Sequence, residues 1–154
     1  MSDFVPADFT IPDPPAHDAF VLEPLGPQHN AQDYAAWQSS IDHIAATPGY
    51  ADHGWPTHDP FPAERNLEDL VQHAADFAAR TGFTYTVLDP TGADTIGCVY
   101  IYPREADDPD DADANIRSWV RASHADLDPV LHAYVTDWLA SDWPFANPAY
   151  AARG

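Results

Sequence analysis

The sequence predicts an α+β domain, in which a mostly antiparallel sheet carries two helices on one side and one long helix on the other. Residues 83–88 and 114–121 alternate in side-chain character, residues 96–102 return between them as an antiparallel partner, and turn-forming or acidic residues separate the three segments. Three other segments repeat apolar residues at helical spacing. With 154 residues, 45% of them hydrophobic, the chain can build one domain with its own core.

Residues 1–18 predict an extended arm, and residues 19–154 predict a single domain. The arm alternates prolines with aspartates, a composition that forms no core of its own. We therefore expect it to be mobile unless it docks on the body of the protein or on a second subunit. Residues 20–25 then predict a short strand, and Pro24 places this strand at a sheet edge because proline donates no ladder hydrogen bond.

Two helices are predicted before the central strands. The first covers residues 32–47 and stops at the Pro-Gly pair that follows it. The second runs from about residue 67 to 81, with Asn66 as N-cap and Gly82 as its stop. Its inner stripe is expected to consist of Leu67, Leu70, Val71, Ala74 and Phe77. The long loop between the helices, residues 50–64, is rich in aromatic and histidine side chains, and loops of this length are often functional.

The last predicted elements are a three-stranded meander and a strongly apolar helix. A turn at residues 89–92 and an acidic tip at residues 105–113 join the strands. The helix is expected to begin with Asp128 as cap and Pro129 at its first position. Its apolar stripe consists of Leu127, Val130, Leu131, Tyr134, Val135, Trp138 and Leu139. Residues 145–153 are compatible with a final short strand.

Charge and composition exclude several classes of function. The chain has 25 acidic and 6 basic side chains, a formal charge of -19, and no lysine. Such a protein repels nucleic acid and anionic membranes, so neither is an expected partner. The single cysteine, Cys98, and the absence of a long apolar run indicate a cytoplasmic protein without disulfides. No metal site is expected, because the histidines lack ligand spacing and the acidic tip lacks the glycine of a calcium loop.

Two stretches of the chain resemble one known family. The sequence IGCVYIYP at residues 96–103 is similar to the third strand of the Gcn5-related N-acetyltransferases (GNAT), and residues 118–139 resemble that family's fourth strand and following helix. The order of predicted elements over residues 20–143 is also similar. The resemblance implies a GNAT-like fold, C-terminally truncated, because too few residues follow the last helix for the family's later elements.

The same resemblance implies a cofactor and an activity. In the family, the fourth strand binds the pantetheine arm of acetyl-CoA and the helix N-terminus receives the pyrophosphate, which assigns cofactor binding to Trp119, Val120 and Arg121. The family's glycine-bearing phosphate loop corresponds to residues 123–129, which contain no glycine and include Asp126 and Asp128. The implied function is an N-acetyltransferase that acts on a small amine. The alternative is a non-catalytic GNAT-like binding module that has lost acetyl-CoA binding.

Acetyl transfer to an amine needs a base, an amide donor for the thioester oxygen and an acid. The candidates for proton transfer are Tyr102, Glu105 and His124, which are predicted near strand ends. A bulge near Val120 is the expected source of the amide. The candidates for the substrate cleft are Trp37, His53, Trp55, Tyr100 and Arg117. An acidic cleft suits a cationic acceptor, and a homodimer that completes the sheet is a possible assembly.

Overall fold

The computed structural model of the protein describes residues 3–51 and 54–153. It contains five strands and four α-helices, with short 3₁₀ turns before α1 and α4. In chain order they are β1 Val21–Pro24, α1 Asn30–Gln38, α2 Ile41–Ala45, α3 Ala63–Ala79, β2 Phe83–Leu88, β3 Thr95–Tyr102, β4 Ala114–Val120, α4 Asp128–Asp142 and β5 Pro148–Tyr150. The predicted α+β class is confirmed. No helix among the described residues is long and apolar enough to cross a membrane.

The strands form one sheet in the order β1-β2-β3-β4-β5. The first four strands pair antiparallel, so the predicted meander and the edge position of β1 are confirmed. The chain then crosses over through α4 and returns as β5, which lies parallel to β4. Because β5 pairs through only three residues, β4 and β5 share a short contact at one end of β4.

Each face of the sheet carries its own apolar core. On one face, α4 and the arm pack against the inward side chains of all four long strands. On the other face, α1, α2, α3 and the loop before α3 enclose a second cluster around Trp37 and Trp119. The helices are therefore divided between the two faces as expected. The candidate functional site lies on the second face.

The arm docks on the body of the protein. The Phe4 ring stacks on the Phe145 ring with 5.2 Å between centroids. The Arg80 guanidinium donates hydrogen bonds to the carbonyls of Pro6, at 2.8 Å, and Phe9, at 2.7 Å. These contacts give the proline-rich arm a fixed partner, which its composition alone could not identify.

The single helix expected over residues 32–47 is wrong. The structure has two helices, α1 and α2, which are separated at Ser39 and Ser40. The Ser39 hydroxyl donates to the Ala36 carbonyl at 2.7 Å, and the Ser40 hydroxyl accepts a hydrogen bond from the Ala122 amide at 2.8 Å. Serine side chains that bond backbone groups compete with helix continuation, and here they tie the break to the end of β4.

The start and the inward face of α3 also differ from expectation. Asn66 is a buried residue within the helix rather than its N-cap. Leu67 and Val71, which were expected to face the core, are 39% and 51% exposed. The inward face instead carries Asn66, Leu70 and His73, which line a cavity.

The helix α3 ends before Gly82, so the expected glycine stop is wrong. Arg80 takes the left-handed conformation at the helix end, with φ of 64°. A Cβ atom at Gly82 would lie 2.1 Å from the Tyr102 ring. Glycine is needed there because the chain passes directly over that ring.

Two expectations for the region around β4 are also corrected. Asp128 is the first residue of α4 and makes no capping hydrogen bond, because its carboxylate is engaged by Arg153. The bulge expected near Val120 is not found in the pairing of β4 with β3, which runs in regular register from residue 115 to 120. The register shift lies instead between Val87 and Leu88 of β2.

Candidate functional site

A cavity of about 360 Å³ lies on the sheet face that α1, α2 and α3 cover. Pockets for small molecules typically enclose ~300–1,000 Å³, so the cavity suits a small ligand. Its lining includes three carboxyl groups, one imidazole and four tyrosine or tryptophan rings. These belong to Asp33, Asp69, Glu105, His73, Tyr50, Trp55, Tyr100 and Tyr102. We call this cavity the amine pocket, after the ligand class that we propose for it under Proposed function.

A chain of buried polar groups joins α1 to α3 at one wall of the amine pocket. The Trp37 indole donates to the Asn66 side-chain oxygen at 3.0 Å, and the Asn66 amide donates to the Asp33 carboxylate at 3.1 Å. Burial raises the pKa of Asp33 from 3.8 to about 6, although the hydrogen bond from Asn66 opposes the shift. Asp33 is therefore a buried carboxyl group that titrates close to neutral pH.

His73 and Tyr102 form a second polar group of the lining, which is held in place by contacts among β2, β3 and α3. The Tyr102 hydroxyl donates to the Asp76 carboxylate at 2.9 Å and lies 2.9 Å from Nδ1 of His73. The Thr84 hydroxyl lies 3.1 Å from the same nitrogen. With the Tyr102 proton directed to Asp76, His73 donates from Nδ1 and keeps Nε2 as its basic nitrogen. Burial lowers the pKa of His73, so the ring is neutral at pH 7.

Aromatic rings also line the amine pocket. The Trp55 ring lies 5.3 Å from the Trp37 ring and 6.2 Å from the Trp119 ring, measured between centroids. The Trp119 indole donates to the Tyr100 hydroxyl at 3.0 Å, which fixes the orientation of Tyr100 in the lining. Packed rings of this kind offer their negative faces to a cation.

Arg117, the one guanidinium among the described residues of the lining, is already paired. Arg117 donates to both oxygens of Glu105, at 2.6 and 3.1 Å, and also to the Gly49 carbonyl at 2.9 Å. The Arg117 and Glu105 charges offset each other, which leaves Asp33 and Asp69 as the net charge of the lining. The amine pocket is therefore negative and aromatic, a combination that attracts small cations.

The structure brings five of the candidate residues together in the amine pocket: Tyr102, Glu105, Trp55, Tyr100 and Arg117. Three others, Trp37, Trp119 and Val120, are buried in the two cores. His124 lies on the 3₁₀ turn before α4, 2.9 Å from the Ser123 hydroxyl, and Arg121 donates to the Thr95 carbonyl at 3.3 Å. His53 lies outside the described residues. The roles of all these residues stay predictions.

Sequence reasoning missed several polar residues of the lining, among them Asp33, Asn66, Asp69 and His73. Three of them lie on α3, where Asn66, Asp69 and His73 follow one another at helical spacing together with Leu70. A polar stripe on a helix normally faces solvent. Because the apolar residues Leu67 and Val71 predict a different inward face for α3, the sequence gives no sign that these polar residues line a cavity.

A second feature lies on the far side of β4. The Arg153 guanidinium donates to the Ser118 carbonyl at 3.0 Å and to the Asp128 carboxylate, at the first residue of α4, at 2.7 Å. The Tyr150 hydroxyl shares a hydrogen bond with the Ser118 hydroxyl. We call residues 148–153 the return segment. It contacts both β4 and the start of α4, and we call the space between these two elements the groove.

Comparison with known proteins supports the fold. No protein-family model matches the sequence, and no curated protein is significantly similar to it. The structure is similar to a ribosomal-protein-S5-alanine acetyltransferase from Vibrio fischeri, with a TM-score of 0.59 and 14% identity. The match covers 80% of this chain but 65% of the Vibrio protein, so the chain spans about two thirds of that protein's length.

Two other solved structures give the same result. A putative GnaT-family acetyltransferase from Bordetella pertussis matches over 82% of this chain and 71% of its own, with a TM-score of 0.57 and 17% identity. RimL, a ribosomal L7/L12 alpha-N-protein acetyltransferase in complex with coenzyme A, matches over 84% of this chain and 69% of its own, with a TM-score of 0.51 and 16% identity. The chain therefore has the GNAT fold, as its resemblance implied.

The residues around the groove do not fit acetyl-CoA in this arrangement. The backbone edge of β4 that would bind the pantetheine arm is held by Arg153 at Ser118. The start of α4 presents the Asp128 carboxylate, and Pro129 after it has no amide hydrogen to donate. Phosphates favour helix N-termini that offer free amides without opposing charge. A cofactor could enter this groove only if the return segment moved.

Proposed function

We propose that this protein binds a small cationic amine in the amine pocket. The observation that carries the proposal is the lining itself, in which the Asp33 and Asp69 carboxyl groups share a cavity of about 360 Å³ with four tyrosine or tryptophan rings. A carboxylate supplies charge for an ammonium group, and an aromatic face supplies a further attraction of ~0.5–2 kcal/mol. A neutral or anionic ligand gains neither contribution.

N-acetylation of the bound amine is the first candidate for what the protein does with it. The acetyltransferase names of the structural neighbours support this candidate. An ammonium must lose a proton before its nitrogen can attack an acyl group, and Asp33 and the neutral His73 are the two groups in the lining suited to accept that proton. Tyr102 acts through His73 by holding its tautomer. Acetylation additionally requires that the groove beside β4 opens.

Binding without chemistry is the second candidate, and the filled groove favours it. In this case the domain retains the GNAT fold as a scaffold, and the amine pocket serves recognition only. The two candidates share the same ligand class and differ in whether acetyl-CoA binds. The amine can therefore be tested first, independently of any cofactor.

The test is calorimetric titration of the protein with 1,4-diaminobutane, tetramethylammonium and the neutral 1,4-butanediol. We expect the two cations to bind and the diol not to bind. Asp69→Asn should weaken cation binding roughly tenfold, because one charge-assisted contact contributes ~1.5–3 kcal/mol. Asp69 lines the amine pocket from an exposed position, so the substitution leaves the cores intact.

The matched control is Asp110→Asn, which removes the same charge from the exposed acidic tip. It should leave the affinity unchanged within about twofold, since exposed charges at a distance are screened. Equal losses in the two variants would mean that the cation responds to total charge rather than to the amine pocket. Equal binding of the diol and the cations would reject amine recognition.

A further inference from the structure

The two carboxyl groups that give the amine pocket its net charge differ in depth. Asp33, on α1, is 4% exposed. Asp69, on α3, lines the same cavity from a position that is exposed to solvent. The cavity therefore connects a carboxyl group at the surface with a buried one. An elongated ligand that enters the cavity can contact both groups at the same time.

The helix α3 sets the separation of these two groups. The Asn66 amide, on α3, donates to the Asp33 carboxylate at 3.1 Å, and Asp69 follows Asn66 three residues later on the same helix. Because side chains at i and i+3 have Cβ atoms ~5–6 Å apart, the two carboxylates lie roughly one helical turn from each other, a separation on the order of 5–8 Å. Burial is the main cause of the raised pKa of Asp33, and the nearby Asp69 charge also acts to raise that pKa.

The other titratable groups of the described lining compete little for an ammonium group. The Glu105 carboxylate holds the Arg117 guanidinium with two hydrogen bonds, at 2.6 and 3.1 Å. An ammonium at that place would have to replace a bidentate pair. The His73 ring is neutral at pH 7 because burial lowers its pKa, so it does not repel a cation by charge. The attraction is thus concentrated at Asp33 and Asp69.

A single ammonium group neutralises only half of this arrangement. Beside Asp69, it leaves the Asp33 charge buried without a cation, and a buried charge without a partner is costly. Beside Asp33, it leaves the Asp69 carboxylate without a contact to the ligand. Two ammonium groups on one ligand neutralise both carboxylates, and the second contact forms at a high effective concentration because the first already holds the ligand.

We propose that the amine pocket selects a short aliphatic diamine, with one ammonium beside Asp33, the other beside Asp69 and the methylene groups between them against the aromatic lining. This inference rests on the proposed function, whose ligand class it narrows. Bonds of ~1.5 Å in an extended zigzag place the two nitrogens roughly 5 Å apart in 1,3-diaminopropane, roughly 6 Å apart in 1,4-diaminobutane and roughly 11 Å apart in 1,8-diaminooctane. The first two lengths fit the separation of the carboxylates, and the third exceeds it.

The test compares each diamine with the monoamine of the same chain length, by calorimetric titration at neutral pH and constant ionic strength. We expect 1,4-diaminobutane to bind roughly tenfold more tightly than butylamine, which is well above the statistical advantage of two equivalent ends. The preference for 1,8-diaminooctane over octylamine should fall to that statistical value, because the second ammonium passes beyond its carboxylate. Comparison at equal chain length cancels the gain from burying methylene groups.

The variant Asp69→Asn tests which group holds the second ammonium. It should weaken binding of 1,4-diaminobutane more than binding of butylamine, so the preference for the diamine should fall to the statistical value. The matched control, Asp110→Asn in the exposed acidic tip, should keep the preference of the wild type. Each preference is a ratio measured within one protein, so a general loss of affinity through misfolding does not imitate the expected result.

The outcomes separate the diamine assignment from the proposed function. Equal affinities of the wild type for butylamine and 1,4-diaminobutane would overturn the assignment and leave amine binding standing. A preference that persists in Asp69→Asn would also overturn it, because another acidic group would then hold the second ammonium. If neither the monoamines nor the diamines bind at millimolar concentration, both the diamine assignment and the proposed function are wrong.

Discussion

Asp33 is the residue whose protonation most affects the amine binding that we propose. Burial raises its pKa to about 6, so the neutral acid is favoured below that pH and the carboxylate above it. A bound ammonium favours the carboxylate and therefore lowers this pKa in the complex. We expect cation affinity to rise between about pH 5 and pH 7 and then to level off, with release of about half a proton near pH 6.

The measurement is calorimetry at pH 6 in two buffers of different ionisation enthalpy, which gives the number of protons released. In Asp33→Asn the side chain keeps an oxygen that accepts from the Asn66 amide. This variant should bind the cation more weakly and should release no proton. Undiminished proton release in Asp33→Asn would assign the linkage to another group, such as His73.

The residue scale is also where the sequence was least informative. Tyr102, Glu105, Trp55, Tyr100 and Arg117 were selected by type and by nearness to strand ends, and the structure gathers them around one cavity. Asp33 could not be selected in this way. Its importance comes from burial and from a contact with a residue 33 positions away, Asn66, and neither property is visible in the local sequence.

At the scale of elements, the strands were easier to predict than the helices. Residues 83–88 and 96–102 match the paired strands because two runs rich in β-branched and aromatic residues are separated by a turn-forming stretch. The first helix was predicted as one element because propensity reports no break at two serines. That break depends on the Ala122 amide, which is distant in the sequence and adjacent in the fold.

The β3–β4 pair leads to a prediction at Gly97. A Cβ atom there would lie 2.0 Å from the Trp119 carbonyl oxygen and 3.0 Å from the Val120 Cα atom. Both obstacles are backbone atoms in the centre of the sheet, so neither can move aside without disturbing the pairing. We expect Gly97→Ala to lower the free energy of unfolding by about 3 kcal/mol, as measured by urea denaturation.

The neighbouring Cys98→Ala is a suitable control, because it removes a buried sulfur without adding an atom near the backbone. Its expected cost is about 1 kcal/mol. If Gly97→Ala proved milder than Cys98→Ala, the strands would be able to separate at this point. The close approach would then not be what keeps glycine at this position.

At the scale of the whole molecule, the fold was predicted from the order of the elements together with the resemblance of residues 96–103 and 118–139 to one family, although no curated protein is significantly similar to the whole sequence. Element order survives at 14–17% identity because it depends on hydrophobic periodicity rather than on particular residues. The expected dimer and the boundary between arm and domain stay predictions. Docking of the arm and filling of the groove are long-range events, which no local pattern reports.

The net charge of -19 makes the stability of the molecule dependent on salt. With 25 acidic side chains and only 6 basic ones, most surface charges repel one another in the folded state. Raising NaCl from ~0.1 M to ~1 M shortens the screening length from ~10 Å to ~3 Å. The midpoint temperature of thermal unfolding should therefore rise by a few degrees, on the order of 1 kcal/mol, whereas a protein held by surface ion pairs would lose stability.

In a variant with Asp107, Asp110 and Asp111 of the exposed tip replaced by asparagine, the rise in unfolding temperature should be smaller. A shift of the same size in both proteins would mean that salt acts through the apolar cores instead of through charge.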